Sequence, residues 1–330
     1  MNRTRTAIII GGGIAGPATA MALAKAGIDA TVYEARPGGA DGGGVMLTLA
    51  VNGIDALRAF DAGAAAAAVA AGFPTPQITL RTHTGKRLGV TSTGGALADG
   101  TAARTTRRAD LYQALHSQTV ARGITVVGGK RLAGAEETPD GVRAVFADGT
   151  EARADILIGC DGVHSTVRGL IDPAAPAPSY AGLLNTGGFA SGVTVAAPPG
   201  SYEMIFGKRA FFGYTTAPDG QVWWFVNLPQ RREPARGEAE AISNAQWRQR
   251  LAEVYAEDAG PAMLPPMIMA VRARFTGLLL SCRWHLVAWR SSANTLGRRL
   301  GGAMTRKCAL GWDLRALAER GNVHQSGIGR

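Results

Sequence analysis

The sequence predicts an α/β fold in which a Rossmann-like domain, built on a βαβ unit, carries an inserted and mainly antiparallel β-sheet domain. Three observations support this prediction. A glycine-rich turn, Gly11–Gly16, stands between an apolar run and an alanine-rich segment typical of a helix. Much later in the chain, a second apolar run ends at Cys160. From Pro173 onward, segments rich in β-branched and aromatic residues indicate antiparallel strands.

The first βαβ unit has the spacing of a dinucleotide-binding turn. Residues 7–10 form an apolar strand, and residues 14–26 have the composition of a helix. Gly11 permits a tight turn, Gly13 lets a pyrophosphate approach the backbone, and Gly16 lets the helix lie close to the strand. The helix N-terminus offers free N–H groups and a positive dipole end to phosphates. The candidate phosphate-binding residues are Gly11, Gly13, Ile14, Ala15 and Gly16.

The second strand of this unit ends in an acidic residue. The strand is predicted over Asp29–Tyr33, and Glu34 follows it directly. A carboxylate at this position accepts hydrogen bonds from a ribose 2′-hydroxyl and repels a 2′-phosphate. A structural βαβ turn without a ligand is the alternative, and Glu34 argues against it. The sequence therefore predicts an adenine dinucleotide cofactor that lacks a 2′-phosphate.

A later Asp-Gly pair follows another predicted strand. Residues 155–160 are mostly apolar, and Asp161 and Gly162 come next. The carboxyl end of a strand in an open parallel sheet faces the cofactor crevice, where Asp161 can hold a ribose-type hydroxyl. Gly162 would allow a close backbone approach. An ordinary turn is the alternative, and it is our interpretation of the Asp-Gly pairs at 140–141 and 148–149, which separate short alternating strands.

Together these segments resemble the FAD-dependent aromatic hydroxylase-like monooxygenases, which are single-component flavoproteins of the para-hydroxybenzoate hydroxylase fold. Three motifs match in order: GGGIAGPATAMALAKAGIDATVYEARP, RRADLYQAL and ADILIGCDGVHSTVR. The resemblance implies that Glu34 binds the adenosine ribose and that Arg36 lies near the same half of FAD. It also implies that Arg108 lies near the pyrophosphate or the ribityl chain. Asp161 and Gly162 would help to bind FAD and would bear on the use of NAD(P)H.

The resemblance also implies an activity. NADH or NADPH would reduce FAD, and O2 would supply one oxygen atom to an aromatic or polyketide-like small molecule. The protein would orient the flavin over the substrate and exclude water. The sequence shows no His/Asp/Ser set or paired carboxylates that indicate separate acid–base chemistry, so no catalytic residue is nominated.

The family pattern divides the chain into two discontinuous domains. The FAD-binding domain is expected over residues 1–73, 100–172 and 284–330, with an incomplete C-terminal part, and the substrate-binding β-sheet domain over 74–99 and 173–283. In the family, such a sheet covers the flavin ring and lines the substrate pocket, although aromatic residues on a sheet are more often plain core. The candidate pocket residues are Met204, Phe206, Phe211, Tyr214, Trp223 and Phe225.

The C-terminal fifty residues depart from the family pattern. About 120 residues after the Asp-Gly pair, the family carries a Gly-Asp-Ala-Ala-His-like motif whose Asp holds the ribityl chain, and here Arg290-Ser291 stands in its place. Residues 281–330 contain nine Lys and Arg against two acidic residues. A reading-frame error and genuine divergence both explain this change, and the chain stops earlier than family members usually do.

Two other functions are therefore kept open. One is a cofactor-impaired, non-catalytic relative or truncated product of such an enzyme. The other, less favoured, is an NAD-dependent dehydrogenase built on the same βαβ unit, which would purify colourless. The Asp-Gly pair and the late aromatic strands argue against the dehydrogenase.

Composition excludes several other classes. The net charge of +10 is concentrated in the last fifty residues, and no helix-turn-helix, zinc finger or basic–aromatic stripe accompanies it, so nucleic acid is not expected as a partner. The three cysteines lack metal-binding spacing, and Cys160 is expected to be inert. No run reaches the ~20 apolar residues that span a bilayer. We expect a cytoplasmic enzyme; its oligomeric state is not predicted.

Overall fold

The computed structural model describes residues 5–39, 44–195, 197–235, 237–239 and 241–258, together with the backbone of residues 274–281 and 287–290. The helices in these ranges are α1 (Ala15–Lys25), α2 (Val51–Phe60), α3 (Ala62–Ala70), α4 (Arg108–Ala121), α5 (Thr166–Ile171) and α6 (Asn244–Val254). The first strands are β1 (Thr6–Ile10), β2 (Asp29–Tyr33), β3 (Met46–Leu49), β4 (Gly72–Pro74), β5 (Gln77–Thr82), β6 (Arg87–Ser92), β7 (Arg104–Arg107), β8 (Thr125–Val127) and β9 (Leu132–Thr138). The later strands are β10 (Gly141–Phe146), β11 (Glu151–Ala154), β12 (Ile156–Gly159), β13 (Ser179–Ala190), β14 (Ser201–Phe206), β15 (Phe211–Thr216), β16 (Val222–Pro229), β17 (Arg274–Ser281) and β18 (Val287–Arg290).

A five-stranded sheet forms the centre of the cofactor half of the molecule. Its order is β18-β12-β1-β2-β8, and β12, β1, β2 and β8 run parallel. The apolar runs of β1 and β12 are buried because α1 and α4 pack on one face of this sheet. Helices α2 and α3 pack on α1 and α4 in turn, with Met21, Leu111 and Leu115 in the core between the helices. The predicted α/β fold class with a Rossmann-like βαβ unit is thus confirmed.

A three-stranded antiparallel meander, β9-β10-β11, covers the other face of this sheet. Val142 and Phe146 of the meander pack with Ile8 and Leu157 in one buried cluster. The Asp-Gly pairs at 140–141 and 148–149 lie at its two turns, where the sequence placed them. These pairs shape the meander and lie away from the carboxyl edge of the parallel strands.

A seven-stranded sheet, β17-β13-β16-β15-β14-β5-β6, forms the second half of the described structure. Its neighbouring strands are antiparallel except β14 and β5, which pair in parallel. One face packs against α6, and the Phe212 and Trp224 rings stack there with centroids 6.1 Å apart above Trp247 and Leu251. Strands from 77–92 and 179–281 share this sheet; the exact domain boundaries stay a proposal.

A small sheet, β3-β7-β4, connects the two halves and was not predicted. The hydroxyl of Tyr202, on β14, lies 3.0 Å from Oγ1 of Thr48 and 2.7 Å from Oγ1 of Thr105. Phe73 packs edge-on against Trp223 of the large sheet. The face of the large sheet opposite α6, which we call the inner face, is therefore held against the cofactor half.

Candidate cofactor-binding site

The structure brings the two sequence motifs together at one edge of the parallel sheet. Gly11 follows β1 and its N–H donates to the carbonyl of Tyr33 at 2.8 Å, while the N–H of Cys160 donates to the carbonyl of Ile10 at 2.7 Å. Gly11 has a φ of +105°, and a Cβ on it would overlap the Cys160 carbonyl and lie 2.9 Å from Cα of Asp161. Only glycine fits this close approach of the two loops.

The other two motif glycines differ sharply in their surroundings. A Cβ on Gly16 would overlap the carbonyl oxygen of Gly11, so Gly16 is required for packing of α1 on the turn. A Cβ on Gly13 would meet nothing within 4 Å. The N-cap of α1, Ile14, offers no side-chain hydrogen bond to the first turn, and Ala15 begins the helix. This open space in front of an uncapped helix N-terminus has the form of a phosphate site.

Glu34 lies beside this opening and is 9% exposed. Its Oε2 accepts from the N–H of Gly12 at 2.7 Å, and its Oε1 accepts from the N–H of Arg36 at 2.9 Å. A carboxylate has about four acceptor positions, so two are left for ribose hydroxyls. The structure therefore gives Glu34 a second role, because it also fixes the glycine turn.

Asp161 is turned toward the start of α5. Its Oδ2 accepts from the N–H of Thr166 at 2.8 Å and of Val167 at 3.1 Å, and Oδ1 accepts from the Ser165 hydroxyl. The carboxylate thus caps α5, while Gly162, with φ of +83°, is exposed beside it. These contacts hold the loop in place; a direct contact of Asp161 with the cofactor stays a prediction.

Arg36 and Arg108 are exposed near the same edge. Arg108 is the first residue of α4, and its Cδ lies 2.9 Å from where a Cβ on Gly44 would stand. Neither guanidinium forms an ion pair with a carboxylate of the described residues. Both cations are thus available to phosphate groups.

The candidate pocket residues divide between the two faces of the large sheet. Tyr214 does not join the others, because the alternation along β15 places it on the α6 side, in the core with Phe212 and Trp224, where burial raises its pKa. Trp223 lies on the inner face and is buried against Phe73. Four residues of the inner face, which we call the substrate surface, are only partly covered by described residues: Met204, Phe206, Phe211 and Phe225.

Three residues at this site were missed in the sequence. Gly12 donates to Glu34 and has no space for a side chain, since a Cβ would lie 2.8 Å from Cβ of Glu34. Tyr202 holds the inner face against the small sheet. Arg107 lies over the Phe189 and Trp223 rings. The middle glycine of the GGG run and the doubled arginine of RRADL were the available signals.

Burial raises the pKa of the Cys160 thiol to about 11, which agrees with the expected lack of reactivity. The part of the chain that the structure describes contains no group of three His, Cys, Asp or Glu side chains placed to hold a metal ion. It also contains no helix with the length and hydrophobicity to cross a membrane.

A family model described as FAD binding domain matches residues 3–274. The chain belongs to this family. The FAD-dependent urate hydroxylase of Klebsiella pneumoniae is 29% identical to it over 232 residues, which cover 68% of this chain and 57% of that relative. The 3-amino-4-hydroxybenzoate 2-monooxygenase of Streptomyces cremeus is 35% identical over 178 residues, 53% of this chain and 43% of that relative. The chain thus spans about half the length of these curated relatives.

Solved structures agree with this FAD-binding family. A variant of HpxO from Klebsiella pneumoniae, complexed with FAD, has a TM-score of 0.68 and 25% identity, covering 82% of this chain and 68% of that chain. A 2-methyl-3-hydroxypyridine-5-carboxylic acid oxygenase has a TM-score of 0.63 at 20% identity, covering 83% and 70%, and shows the fold alone. The resemblance to flavoprotein hydroxylases is confirmed.

Proposed function

We propose that this chain is an FAD-dependent monooxygenase that uses NADH or NADPH and O2 to hydroxylate an aromatic or polyketide-like small molecule. The observation that carries the proposal is the open space at Gly13, in front of the uncapped α1 and beside Glu34. A pyrophosphate fits the open space in front of α1, and a ribose fits beside the Glu34 carboxylate. The site residues therefore fit the adenosine half of FAD.

When bound, FAD would supply the redox chemistry that links oxidation of NAD(P)H to transfer of one oxygen atom of O2 to the substrate, with the other atom released as water. The residues of this chain bind and orient the cofactor and the substrate. Gly13 gives the phosphates access to the helix N-terminus, Arg36 and Arg108 add positive charge, and Glu34 accepts from the ribose. The substrate surface then packs against the substrate and excludes water from the reaction.

The relatives support an aromatic substrate. Their names describe hydroxylation of urate and of 3-amino-4-hydroxybenzoate. The substrate surface offers three aromatic rings. The centroid of the Phe211 ring lies 5.4 Å from that of Phe206 and 5.9 Å from that of Phe225. Aromatic side chains of this kind bind planar rings by offset or edge-on packing.

A second candidate function is a cofactor-impaired relative, and the direction of β18 favours it. β18 runs antiparallel to β12, so that Val287 pairs with Gly159 and Arg290 pairs with Ile156. The Arg290 end of the strand therefore lies at the edge of the sheet opposite Gly11 and Asp161. Arg290, which stands where the family pattern has its ribityl-binding motif, thus lies away from the site.

Product formed per NAD(P)H consumed distinguishes the two candidates. The purified full chain would be incubated with FAD, NADH or NADPH, O2 and a panel of hydroxybenzoates and urate, with product and H2O2 both measured. A monooxygenase gives hydroxylated product in proportion to the NAD(P)H oxidised. Weak FAD retention, with H2O2 as the main product, contradicts it and supports the cofactor-impaired relative.

A further inference from the structure

Arg107 is a half-buried cation where the small sheet meets the inner face of the large sheet. Its guanidinium carbon lies 4.9 Å from the centre of the Phe189 ring and 5.3 Å from that of Trp223. Its Nη2 donates to Oε1 of Gln221 at 3.0 Å, and the same oxygen accepts from Nε1 of Trp223 at 3.0 Å. Two rings and an amide therefore fix the guanidinium in one position.

The bonding of this guanidinium is incomplete. Its Nε is buried and donates to no acceptor of the described residues, and no carboxylate in the described ranges pairs with it. Arg81, on β5 of the large sheet, shows the usual arrangement, since it pairs with buried Glu203 at 2.5 Å. A partly buried cation without a counter-charge costs stability, and ring contacts compensate only in part. A role in binding a ligand therefore explains Arg107 better than a role in stabilising the fold.

Arg107 also lies next to the substrate surface. Phe225 stands two residues beyond Trp223 on the inner face of β16, and Gly187 stands two residues before Phe189 on β13. Gly187 and Phe225 are paired across the two strands. Met204 follows in the same row, because Gly213 pairs with both Phe225 and Met204. The positive group therefore stands at one end of an apolar, partly covered row.

We propose that Arg107 binds an anionic group, a carboxylate or an ionised hydroxyl, on the aromatic substrate, whose ring extends from there over Phe225 and Met204. This inference rests on the proposed function. A guanidinium is planar and always charged, and it binds carboxylates through paired N–H groups. Stacking between Phe189 and Trp223 orients that plane before the substrate arrives. Arg107 thereby selects anionic aromatic rings over neutral rings of the same shape.

Benzoate and benzamide test this selection, because they share a shape and differ in charge. Their dissociation constants would be measured by titration calorimetry on the full chain, with and without added FAD. We expect benzoate to bind at least about tenfold more tightly than benzamide, the size of a charge-assisted hydrogen bond. Arg107→Gln removes this preference, whereas Arg153→Gln, at an exposed position of the meander, retains it.

A second variant keeps the test decisive if Arg107→Gln does not fold. Gln221→Glu is nearly isosteric and places a carboxylate against the Arg107 guanidinium, so it also removes the preference for benzoate. A folded variant of either kind that still prefers benzoate overturns the proposal. An Arg107→Gln variant that weakens only FAD binding and keeps the benzoate preference also overturns the proposal. FAD binding without any benzoate preference contradicts this inference only, and benzoate preference without FAD binding contradicts the proposed function only.

Discussion

At the scale of residues, the glycine turn separates positions needed for folding from positions free to bind. Gly11 and Gly16 have no space for a Cβ, whereas Gly13 opens on empty space. Sequence spacing predicted the close packing at Gly11 and Gly16, because both follow from turn geometry, and the pyrophosphate contact at Gly13 stays a prediction. Spacing did not reveal that Glu34 also accepts from Gly12 and Arg36, since those bonds depend on how β2 lies beside the turn.

Gly13→Ala tests the free position. We expect an unchanged free energy of unfolding without ligand, because the added methyl meets no protein atom. FAD affinity should fall at least about tenfold, since the methyl occupies the approach of the pyrophosphate. Flavin fluorescence quenching gives the affinity and urea unfolding gives the stability.

Gly134→Ala is the matched control, since a Cβ there also meets nothing within 4 Å but lies in the meander. It should leave FAD affinity unchanged. Equal FAD affinity of Gly13→Ala and the native chain would show that no phosphate lies at this turn.

At the scale of elements, long apolar runs were predictable and short ones were not. β1, β2, β12 and the hairpin strands β14 to β16 carry enough apolar or aromatic residues to be recognised. The strands of the small sheet, such as Gly72–Pro74, are too short to show a period. Helix α6 was missed although Ser243 and Gln246 form a capping box, which is a readable signal.

The Asp161→Ala substitution tests how much the carboxylate stabilises the start of helix α5. The substitution removes two backbone hydrogen bonds to Thr166 and Val167, and we expect a loss of about 1–2 kcal/mol in the free energy of unfolding without FAD. FAD affinity should fall as a consequence, because the loop against Gly11 loses its support.

Asp140→Ala, in an exposed turn of the meander, is the control and should change stability by no more than about 0.5 kcal/mol. Urea unfolding of the three proteins without FAD makes the comparison. An Asp161→Ala chain of native stability that has lost FAD affinity would mean that the carboxylate acts on the cofactor directly.

At the scale of the whole molecule, the contact between the two halves determines which face of the large sheet can reach a cofactor. Alternation along β15 and β16 separates two faces, but it does not say which face meets the cofactor half. The bonds of Tyr202 to Thr48 and Thr105 decide this, and they join residues far apart in sequence. Alternation along β15 separates Tyr214 from Phe211, and the structure places Tyr214 in the core beside α6 and not with the other pocket candidates.

The measurement that tests the account most directly is the dissociation constant of FAD for the full chain and for Glu34→Gln. Glu34→Gln keeps the size of the side chain but removes its charge and one acceptor oxygen. Glu257→Gln, at an exposed position paired with Lys208, serves as the control. Flavin fluorescence would be titrated under identical salt conditions, with urea unfolding to establish that each chain is folded.

We expect the native chain and Glu257→Gln to bind FAD equally. Glu34→Gln should bind about ten- to a hundredfold more weakly, since a charge-assisted hydrogen bond contributes about 1.5–3 kcal/mol. Equal FAD affinity in folded Glu34→Gln, or no FAD binding by the native chain, would contradict the assignment of this edge of the sheet as a cofactor site.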